Sequence, residues 1–299
     1  MAKSKWSNKN IANQKNKVII ITGASSGLGK QATKVLAYKN ATVIMAVRNI
    51  IKGEQVAQEI KSTQSDAQIE VMELDLNSIA SVTSFVTEFS KSFEKLDILI
   101  NNAGVMACPF SKTKDGLEIQ MGVNHMGHFA LTGLLMPMLR KSKAGRVVAT
   151  SSMAHKQGNI NFDDINWANR NYSTTKAYGD SKLANLYFAY ELARKCKVEG
   201  NNIKVTAAHP GWTNTDLGQH SLVFSFLSPL LGQGVENGTL PTLRAATDES
   251  ANAGDYYGPS GWQEIKGFPV IVPSNKLSKD TGKAKKLWDV SEELTGIKY

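Results

Sequence analysis

The 299-residue chain is poor in cysteine and histidine, and this excludes several kinds of site. Its two cysteines, Cys108 and Cys196, cannot form a disulfide framework and lack metal-ligand spacing. The five histidines show no HExxH or related pattern, so the sequence predicts no metal site. Cys108 is interpreted as a small apolar filler, with a place on a pocket wall as the alternative.

Long hydrophobic runs are also lacking. No stretch approaches the roughly eighteen apolar residues that a transmembrane helix requires, so none is predicted. The N-terminal segment "MAKSKWSNKNIANQKNK" has no apolar core and does not fit a secretory signal. Together with a hydrophobic fraction of 41%, these features predict a globular, cytoplasmic protein.

Acidic residues are too few to balance the basic ones, and the net charge is +9. Such a charge suits nucleic acid or an anionic membrane, but five lysines and no acids fall in residues 1–17. The remaining excess forms no basic stripe with interleaved aromatic residues, so no nucleic-acid partner is expected. Residues 1–16 are predicted to be a basic, flexible tail ahead of a single domain at 17–299.

Short apolar runs alternate with helical patterns through most of the chain. The runs are 17–22, 41–47, 69–74, 96–102, 146–151 and 203–208, and the helical windows are 28–39, 52–62, 78–95, 117–140 and 176–197. The runs are almost continuously apolar, which is typical of strands buried on both faces. The predicted fold class is α/β, with a doubly wound parallel sheet of the Rossmann type. A C-terminal elaboration follows, ending in an amphipathic helix that Gly296 closes.

The segment "TGASSGLGK" (22–30) connects the first strand to the first helix. Gly23, Gly27 and Gly29 occupy the place where a nucleotide pyrophosphate needs close backbone approach and a helix N-terminus. A plain turn would also explain three glycines, but their position between strand and helix favours a nucleotide.

The second strand ends in "IMAVRN", without an acid to bind a ribose hydroxyl. The guanidinium of Arg48 suits a 2′-phosphate, which favours NADP over NAD, and a plain surface arginine is the alternative. Asp75 ends the third strand, where an acid could contact adenine.

Three further motifs are "NNAG" (101–104), Tyr178 four residues before Lys182, and "HPG" (209–211). With the glycine turn, and in this order over residues 17–213, they resemble the short-chain dehydrogenases/reductases. The resemblance implies a Rossmann-type fold and a nicotinamide cofactor. The glycine spacing differs from that of the family's extended branch, which argues against a sugar epimerase.

The resemblance also implies the roles of individual residues. The implied catalytic residues are Asn124, Ser152, Tyr178 and Lys182. The implied cofactor-binding residues are Gly23, Ser25, Ser26, Gly27, Leu28, Gly29, Arg48, Asp75, Leu76, Asn102, Ala103, Gly104, Tyr178, Lys182, Pro210, Gly211 and Thr213. Ser151 is the alternative to Ser152. Asn124 would hold a water of the proton relay, and kinking or capping of helix 117–140 is its other role.

Tyr178 and Lys182 lie one helical turn apart and share a face. A tyrosine pKa near ~10 is too high for efficient proton exchange at neutral pH. A unit charge about 4 Å away contributes on the order of 4 kcal/mol at an effective dielectric constant of 20. We therefore expect Lys182 to lower the pKa of Tyr178.

Ser152 and Tyr178 are 26 residues apart, which indicates an insertion over 155–175. This insertion, "GVNHMGHF" and "LWDVSEELTG" resemble the retinol dehydrogenase branch, and protochlorophyllide reductases share part of the pattern. The family places a substrate lid at 217–248, and permanent packing of its apolar stretch is the alternative. A homodimer or homotetramer is the assembly the family suggests.

The predicted function is NADP-dependent hydride transfer to or from the carbonyl or alcohol carbon of an apolar aldehyde, ketone or retinoid-like substrate. The alternatives are a non-catalytic NADP-sensing regulator and a tetrapyrrole double-bond reductase.

Overall fold

The computed structural model of the chain describes residues 5–213 and 232–299. Its strands are β1 (Val18–Thr22), β2 (Thr42–Val47), β3 (Ile69–Glu73), β4 (Ile98–Asn101), β5 (Arg146–Thr150), β6 (Lys204–Ala208), β7 (Tyr256–Pro259) and β8 (Pro269–Ile271). They form one sheet in the order β3-β2-β1-β4-β5-β6-β7-β8. Neighbouring strands are parallel except β7 and β8. This confirms the predicted doubly wound parallel sheet.

The helices follow the predicted windows. They are α1 (Gly27–Ala37), α2 (Ile50–Thr63), α3 (Ile79–Ser92), α4 (Ile119–Met121), α5 (Gly127–Arg140), α6 (Thr174–Val198), α7 (Val235–Thr247) and α8 (Thr281–Thr295). A π-helical turn at Gly122–Met126 joins α4 to α5. Local sequence sets several ends: the Asp280 carboxylate caps α8, and Gly296 ends it at φ +70°.

The continuous apolar runs reflect a sheet covered on both faces. Along β1, Ile20 packs into the core formed with α3, α5 and α6, whereas Ile19 and Ile21 pack into the core formed with α1, α2 and α7. All three side chains are fully buried. Because successive strand residues point to opposite faces, a strand with a core on each side needs apolar residues throughout.

The strand order reverses at β1, which lies between β2 and β4. Crossovers leave in opposite directions at such a point, which opens a crevice beyond the carboxyl ends of the strands. The glycine turn follows β1 and "NNAG" ends β4, so both motifs reach this crevice.

The N-terminal segment differs from the sequence-based prediction. Trp6 and Ile11 are buried in the core that contains α1 and α2, at 9% and 3% exposure. The Lys39 ammonium donates to the Ile11 carbonyl at 2.7 Å. The prediction of a flexible tail is therefore wrong for residues 5–16, because two large apolar side chains among the lysines attach this segment to the body.

The predicted lid region 217–248 lies partly outside the described residues, which resume at 232. Its later part is α7, whose Leu240 and Leu243 are buried in the core with α1. This part is thus a packed helix of the body. Within the described residues, no helix combines the length and apolarity needed to cross a bilayer.

The C-terminal region covers the two long helices beside the sheet. The Trp288 ring of α8 lies 5.1 Å from Phe129 of α5 and 6.1 Å from Phe188 of α6, centroid to centroid. Tyr299 packs 4.9 Å from Phe129, and its hydroxyl donates to the Phe129 carbonyl at 2.7 Å. This aromatic cluster fixes the end of the chain against α5 and α6.

Candidate active site

The crevice at the strand reversal is a cleft of about 500 Å³. Its wall includes twelve of the residues proposed from the sequence to bind a cofactor, namely Gly23, Ser25, Ser26, Gly27, Leu28, Gly29, Arg48, Asp75, Leu76, Asn102, Ala103 and Gly104. These residues come from the ends of four strands and the start of one helix. Tertiary structure therefore brings together four sequence motifs that lie between Gly23 and Gly104.

The glycine turn packs directly against the first strand and the "NNAG" segment. A Cβ atom on Gly29 would lie 2.3 Å from the Gly23 carbonyl oxygen and 2.8 Å from Asn102 Nδ2. Gly23 and Gly27 have φ values of +66° and +50°, in the left-handed region that favours glycine. The backbone consequently reaches the cleft without intervening side chains, as close approach to a phosphate requires.

Thr22 supports this turn, and sequence reasoning missed it. Its hydroxyl oxygen accepts hydrogen bonds from the backbone N–H groups of Asn102 and Ala103, each at 2.9 Å. The Asn102 side chain donates in turn to the Thr22 carbonyl at 2.8 Å. A hydroxyl at the last position of β1, directly before Gly23, was the available signal.

The charges around the cleft suit an anionic ligand. Arg48 is exposed on its wall at the end of β2 and forms no ion pair with any residue in the described ranges. The first turn of α1 contains no acidic residue, so no negative side chain there competes with a ligand for the free backbone N–H groups. Asp75, by contrast, pairs with Lys114 at 3.1 Å and accepts from the Asn77 backbone. The donor set thus fits a dinucleotide with an additional phosphate near Arg48.

Asn124 is fully buried in the π-helical turn, one residue after Val123 of the cleft wall. Its Oδ1 accepts from the Val105 backbone at 2.7 Å, and its Nδ2 donates to the Val105 carbonyl and to Ser181, both at 2.9 Å. A Cβ atom on Gly104 would lie 3.0 Å from Asn124 Oδ1 and 3.5 Å from Lys182 Nζ. Asn124 and Lys182 therefore lie directly behind Gly104 of the cleft wall, although the wall itself includes none of Asn124, Ser152, Tyr178 and Lys182.

The two candidate serines occupy different environments. Ser151 is buried, and its hydroxyl donates to the Lys182 carbonyl at 2.9 Å, inside the protein. Ser152 is half-buried, caps the following short helix and interacts through its hydroxyl with the Tyr178 phenol. The geometry therefore favours Ser152 over Ser151 as the serine next to Tyr178.

Tyr178 and Lys182 share one face of α6, as predicted. The Lys182 ammonium lies 5.6 Å from the centre of the Tyr178 ring and donates to the Thr150 carbonyl at 3.2 Å. Burial raises the pKa of Tyr178 to about 12, an effect that the Ser152 hydroxyl partly offsets. Burial likewise lowers the pKa of Lys182 to about 8. The expectation that Lys182 lowers the tyrosine pKa is wrong for the protein by itself, because desolvation of the phenolate is the larger effect.

Two histidines of the long helical segment are structural supports. His128 Nδ1 lies 3.0 Å from the Asn124 carbonyl, and its Nε2 lies 2.9 Å from the Thr22 hydroxyl. His125 Nε2 lies 2.8 Å from Ser291 of α8. Burial lowers their pKa values, to about 4 for His128 and about 3 for His125. Both are neutral near pH 7, and His128 ties the cofactor turn to Asn124.

The "HPG" segment follows β6, and its residues are not on the wall of the 500 Å³ cleft. The Thr213 hydroxyl donates to the Pro210 carbonyl at 2.8 Å. Gly211 has a φ of +66°, and a Cβ atom there would lie 2.4 Å from the Ile265 carbonyl oxygen. A loop that follows β7 therefore supports this turn.

Cys108 lies in the loop after "NNAG", where it is partly buried and outside the lining of the cleft. Burial raises the pKa of its thiol. Among residues 5–213 and 232–299, no three His, Cys, Asp or Glu side chains are grouped as they would be around a metal ion.

Comparison with known protein sequences identifies relatives that agree with this fold. Residues 17–222 match the model of the short chain dehydrogenase family. The chain is 40% identical to retinol dehydrogenase 12 of Mus musculus, over 95% of this chain and 87% of that protein. It is 38% identical to retinol dehydrogenase 13 of Homo sapiens, over 94% and 85% of the two chains.

Comparison with solved structures also finds proteins of the same fold. An uncharacterised protein from Mycobacterium paratuberculosis is 40% identical, with a TM-score of 0.83 and 99% coverage of both chains. A short chain dehydrogenase from Shigella flexneri, solved in complex with NADP, is 26% identical with a TM-score of 0.66, over 83% of this chain and 98% of that one. The fold, the motifs and these similarities together show that the chain belongs to the short-chain dehydrogenase/reductase family, in its retinol dehydrogenase-like branch, and is an oxidoreductase acting on CH–OH groups.

Proposed function

We propose that the protein is an NADP-dependent oxidoreductase that interconverts an apolar aldehyde or ketone and its alcohol. The observation that carries this proposal is the convergence of Asn124, Ser152, Tyr178 and Lys182 beside Gly104, where the nucleotide cleft ends. A proton donor, a second hydroxyl and a cation then surround the place where a carbonyl would meet the nicotinamide.

In this proposal, bound NADPH supplies the hydride to the carbonyl carbon. Tyr178, with its pKa raised to about 12, is protonated at neutral pH and donates its proton to the carbonyl oxygen. Ser152 donates a hydrogen bond to the same oxygen as negative charge develops there. Lys182, with a pKa of about 8, is mostly charged at pH 7 and stabilises the phenolate that remains.

Arg48 is the reason for preferring NADP. It is a cation without an acidic partner in the described residues, on the wall of the cleft, where the second strand ends. NADP differs from NAD by one phosphate, and a guanidinium binds phosphate with charge-assisted hydrogen bonds. The complexes of related dehydrogenases from Shigella flexneri with NADP and from Escherichia coli with NADPH support the choice.

An apolar substrate is supported by the loop that leaves the cleft after Gly104. Phe110 is 45% exposed, and its ring lies 5.1 Å from that of Tyr172, which belongs to the insertion before α6. Phe110 follows Val105 of the cleft wall by five residues, and an exposed aromatic side chain on such a loop favours apolar ligands. The names of the related retinol dehydrogenases agree with this class, and a retinoid-like substrate falls within the proposal.

The test is a panel of aldehydes and ketones, followed through the absorbance of NADPH, with Tyr178→Phe beside the unchanged protein. We expect turnover of apolar carbonyls and a loss of ~100-fold or more in Tyr178→Phe, because the ring remains but the proton is gone. The matched control is Tyr190→Phe on the same helix, whose hydroxyl bonds Ser274. NADPH binding without turnover of any substrate would instead support the NADP sensor, and turnover of a tetrapyrrole only under illumination would support the double-bond reductase.

Assembly and location are further parts of the proposal. The family commonly pairs through its long helices, but here Trp288 and Tyr299 cover aromatic side chains of α5 and α6. We therefore expect any homodimer or homotetramer to use another surface, and sedimentation of the unchanged protein would show whether such an assembly forms. A cytoplasmic location stays a prediction for cell fractionation.

A further inference from the structure

The loop after β7 has an unusual backbone at two consecutive residues. Gln263 and Glu264 have φ values of +48° and +59°. Neither is glycine, and left-handed backbone at two successive residues with side chains is uncommon. Such conformations persist where surrounding contacts hold them, often near functional sites. The contacts of Glu264 therefore bear on whether this loop has a functional role.

One carboxylate oxygen of Glu264 faces the histidine of the "HPG" segment. Its Oε2 lies 2.9 Å from Nε2 of His209, whose side chain is fully buried. Within the described residues neither atom forms a hydrogen bond, so this short contact is the one polar contact that each of them makes. A Cβ atom on Gly258 would lie 2.1 Å from the same nitrogen, so the imidazole is fixed between Gly258 and Glu264.

The other imidazole nitrogen supports the "HPG" turn itself. The backbone N–H of Gly211 donates to His209 Nδ1 at 3.2 Å. Since Nδ1 accepts here, Nε2 is the ring nitrogen that bears hydrogen, and it is also the one beside the Glu264 carboxylate. The backbone N–H of Trp212, which follows Gly211, also donates to the carbonyl of Ile265, which follows Glu264, at 2.8 Å. The two loops are therefore joined by a backbone hydrogen bond as well.

The second carboxylate oxygen of Glu264 reaches the turn that bears Ser152. Its Oε1 lies 3.4 Å from Lys156 Nζ. Lys156 belongs to the short helix Met153–Gln157, which Ser152 caps. In the same helix, His155 Nδ1 lies 2.6 Å from the Ser152 carbonyl. Glu264 therefore contacts both the turn after β5, through Lys156, and the turn after β6, through His209.

We infer that Glu264 is a positioning residue, which acts through His209 to hold the Gly211 turn at a fixed separation from Ser152. This inference rests on the proposed function, in which Ser152 contacts the carbonyl oxygen, and on the sequence-based expectation that Gly211 contacts the cofactor. Hydride transfer requires near-contact geometry, and a displacement of about 1 Å can cost on the order of 100-fold in rate. The Glu264 pKa is lowered, first by His209, which keeps the carboxylate charged near neutral pH.

The test compares Glu264→Ala, Glu264→Gln and the control Gln263→Ala in NADPH-dependent carbonyl reduction. We expect Glu264→Ala to lower kcat by about 10- to 100-fold, with a smaller change in the KM of the carbonyl. Glu264→Gln keeps an acceptor for His209 and should recover part of the loss. Gln263 is exposed in the same backbone conformation, so Gln263→Ala should retain normal kcat.

Double substitution shows whether Glu264 acts through His209. In that case Glu264→Ala combined with His209→Ala should lose no more kcat than the more damaged single variant. Independent, multiplying losses would overturn the inference. So would a Glu264→Ala protein with a lowered Tm but unchanged kcat at temperatures where it is folded, since that outcome shows a structural role alone.

The two proposals fail in different ways. If Tyr178→Phe lost turnover while Glu264→Ala kept it, the inference about Glu264 would be wrong and the proposed function would stand. If Tyr178→Phe kept its turnover, the proposed function would be wrong, whatever Glu264→Ala did.

Discussion

The pH dependence of carbonyl reduction follows from the two shifted groups on α6. In the mechanism that we propose, reduction needs a protonated Tyr178 and a charged Lys182. Because burial raises the pKa of Tyr178 to about 12, the phenol keeps its proton throughout the usual assay range. Because burial lowers the pKa of Lys182 to about 8, the ammonium is the group that titrates within this range. The rate should therefore be close to its maximum at pH 7, about half of it near pH 8 and lower above that.

The size of the fall follows from the titration curve. With a pKa of about 8, most Lys182 side chains are charged at pH 7 and only about one in ten at pH 9. We thus expect kcat/KM for NADPH to drop about tenfold between pH 7 and pH 9. This parameter reports groups of the free enzyme, which is the state that the structure describes. Enzyme returned from pH 9 to pH 7 should recover its full rate, which excludes irreversible loss.

A substitution assigns the titration to Lys182. The guanidinium in Lys182→Arg stays charged at every pH tested, so the activity that remains should show no decline near pH 8. A rate of the unchanged protein that is constant from pH 7 to pH 10 would refute the reasoning. An undiminished decline near pH 8 in Lys182→Arg would refute it equally, because another group would then be titrating.

Three further predictions concern the cofactor turn, the cofactor and the substrate. Arg48→Asp should reverse the preference for NADPH over NADH in kcat/KM, and equal values for both cofactors in the unchanged protein would contradict the role of Arg48. Gly29→Ala should destabilise the fold by ~1–3 kcal/mol and weaken NADPH binding, since its Cβ would lie 2.3 Å from the Gly23 carbonyl oxygen. Gly282→Ala is its control in thermal unfolding, because the nearest atom there is at an ordinary 3.4 Å. Among substrate pairs that differ by one carboxylate, the uncharged member should react faster, and the opposite order throughout would exclude an apolar binding site.

The sequence alone determined the sheet, the position of the glycine turn and the shared helical face of Tyr178 and Lys182. These features are encoded locally: β1 has apolar residues on both faces, three glycines follow it directly, and α6 places Tyr178 and Lys182 one turn apart. Such signals depend on neighbours within a few residues. They are readable before the chain is folded, and the structure confirmed the strands and helices that they predicted.

Only the tertiary structure decided how those residues behave. Ser151 and Ser152 are adjacent in sequence, yet only contacts with α6 send one hydroxyl inward to the Lys182 carbonyl and the other toward Tyr178. The direction of the Tyr178 pKa shift depends on burial by distant segments, which the hydroxyl of Ser152 offsets only in part. The N-terminal lysines suggested a free tail, whereas the Trp6 side chain packs into a core whose other residues lie mostly far away in the sequence. In each case the deciding quantity is exclusion from water, which long-range packing sets and local sequence does not.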